Sequence, residues 1–321
     1  MKTYTYILIF LSLSFLNFSL GADTNKYKQA YEMESKSTLF AIPLYEQSIQ
    51  SSNSKSLQKA AVTRLFYLYK KHNKVIEALL LGTRYSSIVS SKDKSGIWKS
   101  VSEIYKPLTY TQLTNAYTVA IRTNSENYLE LINIIRESKE PKLFEFVFII
   151  LYKRKQFELL NQIFNEDHSI SSSPLYQGII SIKLNAEKGK EYLNSIGHEM
   201  EKDDATSSDL LYLMGQYYRA LGDFAMSARY FRMSSSYHWQ ERGKIESAKS
   251  LVLDGNFGEV CQTFNFSSSP NEEVSQIFYL ICNKKDKTFL REIKPSIKAL
   301  GAKDGGEFFQ KVSIALEKWE G

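Results

Sequence analysis

Apolar residues along most of this chain recur at spacings of three and four, the repeat of one helix face. Nowhere do they sustain the alternation of a half-buried strand. In 208–240, Leu210, Leu213, Met214, Tyr217 and Leu221 form one stripe, and Phe224, Ala228 and Phe231 a second, with Leu221-Gly222-Asp223 between them. The pattern returns in 241–269 (Ile245, Ala248, Val252, then Phe257, Val260, Cys261, Phe264) and in 270–300 (Val274, Ile277, Phe278, Ile281, then Phe289, Ile293, Ile297, Leu300). Upstream it appears in 141–173 (Phe144, Val147, Phe148, Leu151, then Phe157, Leu160, Phe164) and in 107–140 (Leu113, Tyr117, Ala120, then Tyr128, Leu131, Ile132, Ile135). The unit 174–207 is the thinnest, with Tyr176, Ile179, Ile180, then Tyr192, Leu193, Ile196. Each segment predicts two antiparallel helices. Tyr212 lies off the main stripe of its helix.

The segments are periodic. Pro107, Pro141, Pro174, Ser208, Glu241 and Pro270 open successive apolar runs at intervals of 34, 33, 34, 33 and 29 residues. Proline suits the first helical turn, where its missing N–H loses no bond, and serine suits an N-cap. A helix pair has two apolar flanks and cannot bury both alone, so stacked pairs cover one another and each touches mainly its neighbours. Gly215 and Ala228 are expected where two backbones cross closely. The expected class is all-α, a right-handed solenoid of antiparallel helix pairs. Residues 24–52 read as one or two helices interrupted by Pro43, 92–106 as an extra helix out of phase, and 304–321 as a C-terminal capping helix.

Residues 208–234 resemble a tetratricopeptide repeat (TPR). Gly215, Tyr218, Gly222-Asp223-Phe224, Ala228 and Phe231 stand where that family places its small, aromatic and turn residues. Ser227 and Ser234 replace usual alanines, and no proline closes the unit. Residues 241–269 match through Ala248, Gly255, Phe257 and Phe264. Residues 61–85 match through Tyr69 and Ala78 but lack the turn glycine. The resulting division is a signal peptide at 1–21, N-terminal helical repeats at 22–106, TPR-like repeats at 107–303 and the capping helix at 304–321.

Composition narrows the class. A 321-residue chain that is 43% hydrophobic and 24% charged builds a large core rather than a disordered coil. Only 15 glycines and 6 prolines disfavour a many-turned β fold. A net charge of +6, with acidic and basic residues interleaved, lacks the concentrated basic face of a nucleic-acid binder. Lys2 followed by "YILIFLSLSFL" and small residues near Gly21 reads as a cleavable signal peptide, cut near Gly21–Ala22. That predicts a periplasmic or secreted protein, with an uncleaved anchor as the alternative. Export permits disulfides. However, a hairpin folded at about Ser268 sets Cys261 opposite about 275, and seven residues from there to Cys282 is about 10 Å of helix, beyond bridging reach. Two buried free thiols are expected.

Candidate chemistry is sparse. His72, His168, His198 and His238 are not spaced as metal ligands within one helix, and "NEDH" at 165–168 reads as a solvated turn. Ser52/Lys55 and Ser91/Lys94 fall in polar segments. No phosphate-binding glycine loop opens a helix. No catalytic set, metal or cofactor is expected. The TPR resemblance implies a concave groove, lined by the first helix of each pair, that holds extended peptides or partner helices. It places Asp209, Tyr212, Gln216 and Arg219 there and, by the same count, Arg242 and Lys249. The implied roles are hydrogen bonding by Gln216, stacking by Tyr212 and charge pairing by Arg219, Arg242 and Lys249, weighed against ordinary solvent-facing positions. The expectation is an exported scaffold of the bacterial periplasm or envelope that binds protein partners without catalysis. The alternative is a helical accessory to peptidoglycan machinery, similar to the superhelical part of lytic transglycosylases. There Lys284, Lys285, Lys287 and Arg291 would meet glycan or an anionic membrane surface, against the reading of these residues as the outer side of a repeat.

Overall fold

The computed structural model describes residues 25–124, 126–167, 173–200, 203–235, 239–266, 272–283, 287–304 and 306–320. All regular structure among them is helical. The expected signal segment 1–21 lies outside them. The chain falls into two compact units. One comprises residues up to Ile97 together with Asn265 onward, and the other is Trp98–Phe264.

Within the first unit, α1 covers 25–36, followed by α2 (Thr38–Ser51), α3 (Lys55–Lys71), α4 (Val75–Arg84) and the start of α5 (Ser91–Ile104). From the other end of the chain come α16 (Glu273–Asn283), α17 (Lys287–Glu292), α18 (Lys294–Asp304) and α19 (Glu307–Glu320). The break expected at Pro43 falls instead at Ser37, whose hydroxyl accepts from the Phe40 N–H and caps α2; Pro43 sits inside that helix. Nearest-neighbour stacking does not describe this unit. α2 packs on α18, the buried Ser296 hydroxyl donates to the Phe40 carbonyl at 2.8 Å, and Lys74 meets Glu273 at 2.9 Å. Apolar flanks near the two chain ends bury against each other, a pairing that local periodicity cannot encode.

The second unit completes α5 and adds α6 (Tyr110–Arg122), α7 (Tyr128–Ser138), α8 (Pro141–Lys153), α9 (Phe157–Glu166), α10 (Pro174–Leu184), α11 (Ala186–Met200), α12 (Asp204–Ala220), α13 (Phe224–Ser234), α14 (Gln240–Leu253) and α15 (Phe257–Thr263). Here α6 packs on α8, α7 on α9 and α10 on α12, besides sequence neighbours such as α12 with α13 and α13 with α14. Pro141 and Pro174 open α8 and α10 as expected. Two other boundaries move. α6 starts after Pro107, at a capping box of Thr109 and Gln112. α12 starts before Ser208, because the Asp203 carboxylate accepts from the Thr206 N–H at 2.8 Å. Ser208 is then buried inside the helix and donates to the Ser234 carbonyl at 3.0 Å.

The turns within pairs repeat at atomic detail. Gly222 and Gly255 take left-handed conformations, φ 80° and 86°. The N–H of Gly222 donates to Arg219 O and that of Asp223 to Tyr218 O; those of Gly255 and Asn256 donate to Val252 O and Leu251 O. Asn73 (φ 53°) and Lys155 (φ 59°) reproduce both bonds after α3 and α8. This is the paired-bond closure that absorbs orphan carbonyls at a helix end. The unit 61–85 therefore makes the turn its sequence appeared to lack, with asparagine in the glycine position.

α12 is packed on two sides. Leu213 is fully buried in a cluster with Ile182, Leu193 and Met200, with Leu210, Met214 and Tyr217 against it. On the other side a Cβ added at Gly215 would lie 2.7 Å from the Phe231 ring, so glycine sets the α12–α13 approach. Leu221, expected on the stripe, is instead the exposed C-cap residue. The expected thiols are also corrected. Both Cys261 and Cys282 are disulfide-bonded. The register estimate assumed a long helix through 264, whereas α15 is seven residues long and ends in extended backbone at Phe264.

Candidate functional site

Tyr212, though off the first stripe, is 5% exposed because it points to the second buried side of α12. Its ring packs edge-on against Phe231 at 5.2 Å and stacks on Trp239 at 3.8 Å and 10°. Trp239 lies just before α14, and its indole N–H donates to the Asp209 carboxylate at 2.8 Å. Gln216, one turn after Tyr212, donates to the Tyr212 hydroxyl at 3.1 Å. Asp209 and Tyr212, in the middle of α12, thus hold Trp239 at the start of α14, and Gln216 braces the Tyr212 hydroxyl.

The three cations meet at a residue that sequence reading did not single out. Glu246 on α14 has a side chain only 3% exposed. Its Oε2 accepts from Arg219, and its Oε1 from Arg242 at 3.0 Å and Lys249 at 3.2 Å. Arg242 and Lys249 stand one turn to either side of Glu246 on the same helix. Arg219 reaches across from α12, spans the Ser250 hydroxyl at 2.9 Å, and lies 4.6 Å over the Phe231 ring. Burial alone would push the Glu246 carboxyl up. Lys249, Arg219 and Arg242 overcome that and hold it well below the usual range, so the group is an anion.

Ser227 occupies the position the TPR family gives to alanine, and here the hydroxyl has work. It donates to the Gly215 carbonyl at 2.8 Å and pairs with the Ser250 hydroxyl at 2.8 Å. Ser247 donates to the Ala228 carbonyl at 2.7 Å. Small polar side chains let these helices close while satisfying carbonyls that burial would strand.

Two residues from earlier helices feel the charges around Glu246. Lys183 of α10 is exposed. Lost solvation, then the positive charges of Arg219, Lys249 and Lys155, lower its pKa against the opposing pull of Glu246. Among the described residues its ammonium has no hydrogen bond or ion pair. Tyr152 of α8 is pushed up to about 12, chiefly by burial, and feels Tyr212, Arg242, Glu246 and Arg219. The direct contacts around Glu246 come from first helices α12 and α14.

The other candidates lie on other elements. Arg291 is exposed on α17, while Lys284, Lys285 and the Lys287 side chain lie outside the described residues. In "NEDH", Glu166 accepts from Tyr128 and Asp167 pairs with Arg136. His168 and His238 and the His198 side chain fall outside the described residues, and His72 bonds Thr38 at 3.0 Å. Among the described residues no three His, Cys, Asp or Glu side chains group to hold a metal ion, and no helix is long and apolar enough to cross a membrane. No protein-family model, curated protein or solved structure matches the chain.

Proposed function

We propose that this protein is an exported, TPR-like helical scaffold that holds a protein partner on the face built by the first helices of its pairs, without catalysis. One observation carries the reading: Arg219 of α12 binds Glu246 of α14, and α10 packs on α12, so first helices of successive pairs lie side by side. That is the register expected where helix pairs stack with their first helices side by side. The repeated turn bonds at Asn73, Lys155, Gly222 and Gly255 support a repeat origin for the pairs. Disulfide-bonded cysteines and the N-terminal apolar segment support export to an oxidising compartment.

In this reading Tyr212 and Asp209 set the geometry from beneath, and the partner meets Gln216, Arg242 and Lys249. The test is site-specific photo-crosslinking in intact cells. A photoreactive residue at 242, on a first helix, is expected to give a discrete adduct. The same residue at the exposed position 229, on second helix α13, gives none. Adducts of equal yield from both positions, or from 229 alone, would remove the reading.

A further inference from the structure

We propose that the exposed face of α3, with Tyr31 of α1 beside it, docks on an anionic lipid surface. Acidic and basic residues interleave along most of the chain, and α3 departs from that pattern. Its 17 residues carry Lys55, Lys59, Arg64, Lys70 and Lys71 and no aspartate or glutamate. One side of the helix is buried through Ala61, Val62, Leu65, Phe66, Leu68 and Tyr69. The other side is exposed, and Lys59, Thr63, Tyr67 and Lys71 follow one another along it at four-residue spacing. Arg64 pairs with Glu34 at 3.5 Å and Lys70 with Asp93 at 3.9 Å. Lys55, Lys59 and Lys71 have no carboxylate partner among the described residues. These three ammonium groups are spread over about 24 Å of helix, so what answers them is an extended negative surface rather than one small ion.

Aromatic rings stand among these cations. Tyr67 is 57% exposed and Tyr31 is 51% exposed. Arg64 joins them: its guanidinium lies 5.4 Å over the Tyr31 ring, and Tyr67 follows it three residues later on the same helix. Tyr31 also stacks on Tyr27 at 6.5 Å, so its ring is held in place. Water gives such rings no favourable burial. Tyrosine is enriched where a bilayer meets water, its ring against the acyl boundary and its hydroxyl among the headgroups. Lysine reaches the lipid phosphates from beside it on a long apolar stem.

Cations and tyrosines would also suit an acidic protein, and chain position decides for lipid. The apolar run Tyr6–Leu16 precedes α1, which begins at residue 25. The residues between them span at most about 30 Å when fully extended. With that run in a bilayer, as export requires, α1 is within reach of the leaflet. The α3 face comes with it, because Glu34 of α1 accepts from Arg64 of α3 and from Tyr45 of α2. This surface shares the export expectation with the scaffold reading but uses no residue of α12 or α14. Crosslinking at 242 and docking of α3 can therefore fail independently.

The test uses the full, oxidised chain with phosphatidylcholine vesicles, with and without phosphatidylglycerol. Cys261 and Cys282 are disulfide-bonded, so a cysteine introduced by Thr63→Cys takes a polarity-sensitive bimane label alone. A second protein carries the label through Lys298→Cys, at an exposed position on α18 of the same unit. The label at 63 is expected to shift to the blue, and to be quenched by headgroup spin labels, only when phosphatidylglycerol is present. The label at 298 stays in water throughout. Lys59→Gln and Lys71→Gln together break no described ion pair and should lower the docking constant about thirtyfold. Added salt should weaken docking of the unsubstituted protein. A label at 63 that stays in water with phosphatidylglycerol overturns the proposal. So does an equal response at 298, or one that the double substitution leaves unchanged. A response at 63 to soluble polyglutamate with none to vesicles would assign the face to an acidic protein and overturn the lipid surface as well.

Discussion

Replacing Glu246 by glutamine keeps the side chain's shape and deletes its charge. Arg219, Arg242 and Lys249 then face one another without a counter-ion. Arg242 is 45% exposed and pairs within one helix, so its share is only about 0.3–0.5 kcal/mol. Arg219 and Lys249 are 21% and 22% exposed against a carboxylate at 3%. Breaking a fully buried pair from one side costs about 3–5 kcal/mol. Here the orphaned cations keep some solvent, and Arg219 keeps Ser250. A loss of about 2–4 kcal/mol at pH 7 follows from that discount.

The sign of the pH dependence is fixed. The folded state depresses the Glu246 pKa, so its contribution is complete above the unfolded value of about 4.3. It is lost as pH falls from there through the lower folded value. Glutamine does not titrate, and the remaining carboxylates are common to both proteins. The stability gap between wild type and Glu246→Gln therefore narrows on acidification below about pH 5. Urea unfolding followed by tryptophan fluorescence reads it, since Trp98 and Trp239 both lie in the second unit. With a slope of about 2 kcal/mol per molar, the midpoint falls by about 1–2 M at pH 7. A gap under about 0.5 kcal/mol at pH 7, or one that stays constant down to pH 3, would refute the account of Glu246 as the site's bound anion.

Gly243→Ala is expected to destabilise the second unit by about 1–3 kcal/mol. Its Cβ would lie 2.8 Å from the Phe231 backbone carbonyl, which cannot rotate away; an unchanged urea midpoint would contradict that packing. Lys155→Gly should raise the midpoint by the equivalent of about 0.5–1 kcal/mol, because φ 59° strains a residue with a Cβ. A lowered midpoint would show that the lysine's contacts outweigh that strain. Alkylation under denaturing, non-reducing conditions should label neither cysteine, with both labelled after reduction, as mass spectrometry reads directly. Labelling before reduction would restore the free-thiol expectation.

Helix positions were legible because amphipathic spacing is a local property. The buried run Phe144, Val147, Phe148 and Leu151 follows from it directly, as do the turns that carry Gly222 and Gly255. The turns at Asn73 and Lys155 were not legible. Their hydrogen bonds are the same, but the residue-type signal is missing where packing holds a side-chain-bearing residue in the left-handed region. The α2–α18 contact was illegible for another reason. Stripes show that a flank needs covering and do not say which flank, 256 residues away, covers it.

Glu246 shows how a buried ion cluster escapes such reading. Arg242-x-x-x-Glu246-x-x-Lys249 has the spacing of surface ion pairs, and charged residues on a helix are ordinarily assigned to solvent. Burial comes from elsewhere: Gly215, Ser227, Ser247 and Ser250 are small enough to let α12, α13 and α14 close around the carboxylate. Such a buried ion cluster is a weak source of net stability, because desolvation offsets much of the attraction. An apolar residue at 246 opposite shorter neighbours would hold the helices equally well. What the carboxylate supplies that an apolar residue does not is position. It fixes three cations at defined points, Arg219 across the α12–α14 contact and Arg242 and Lys249 one turn to either side.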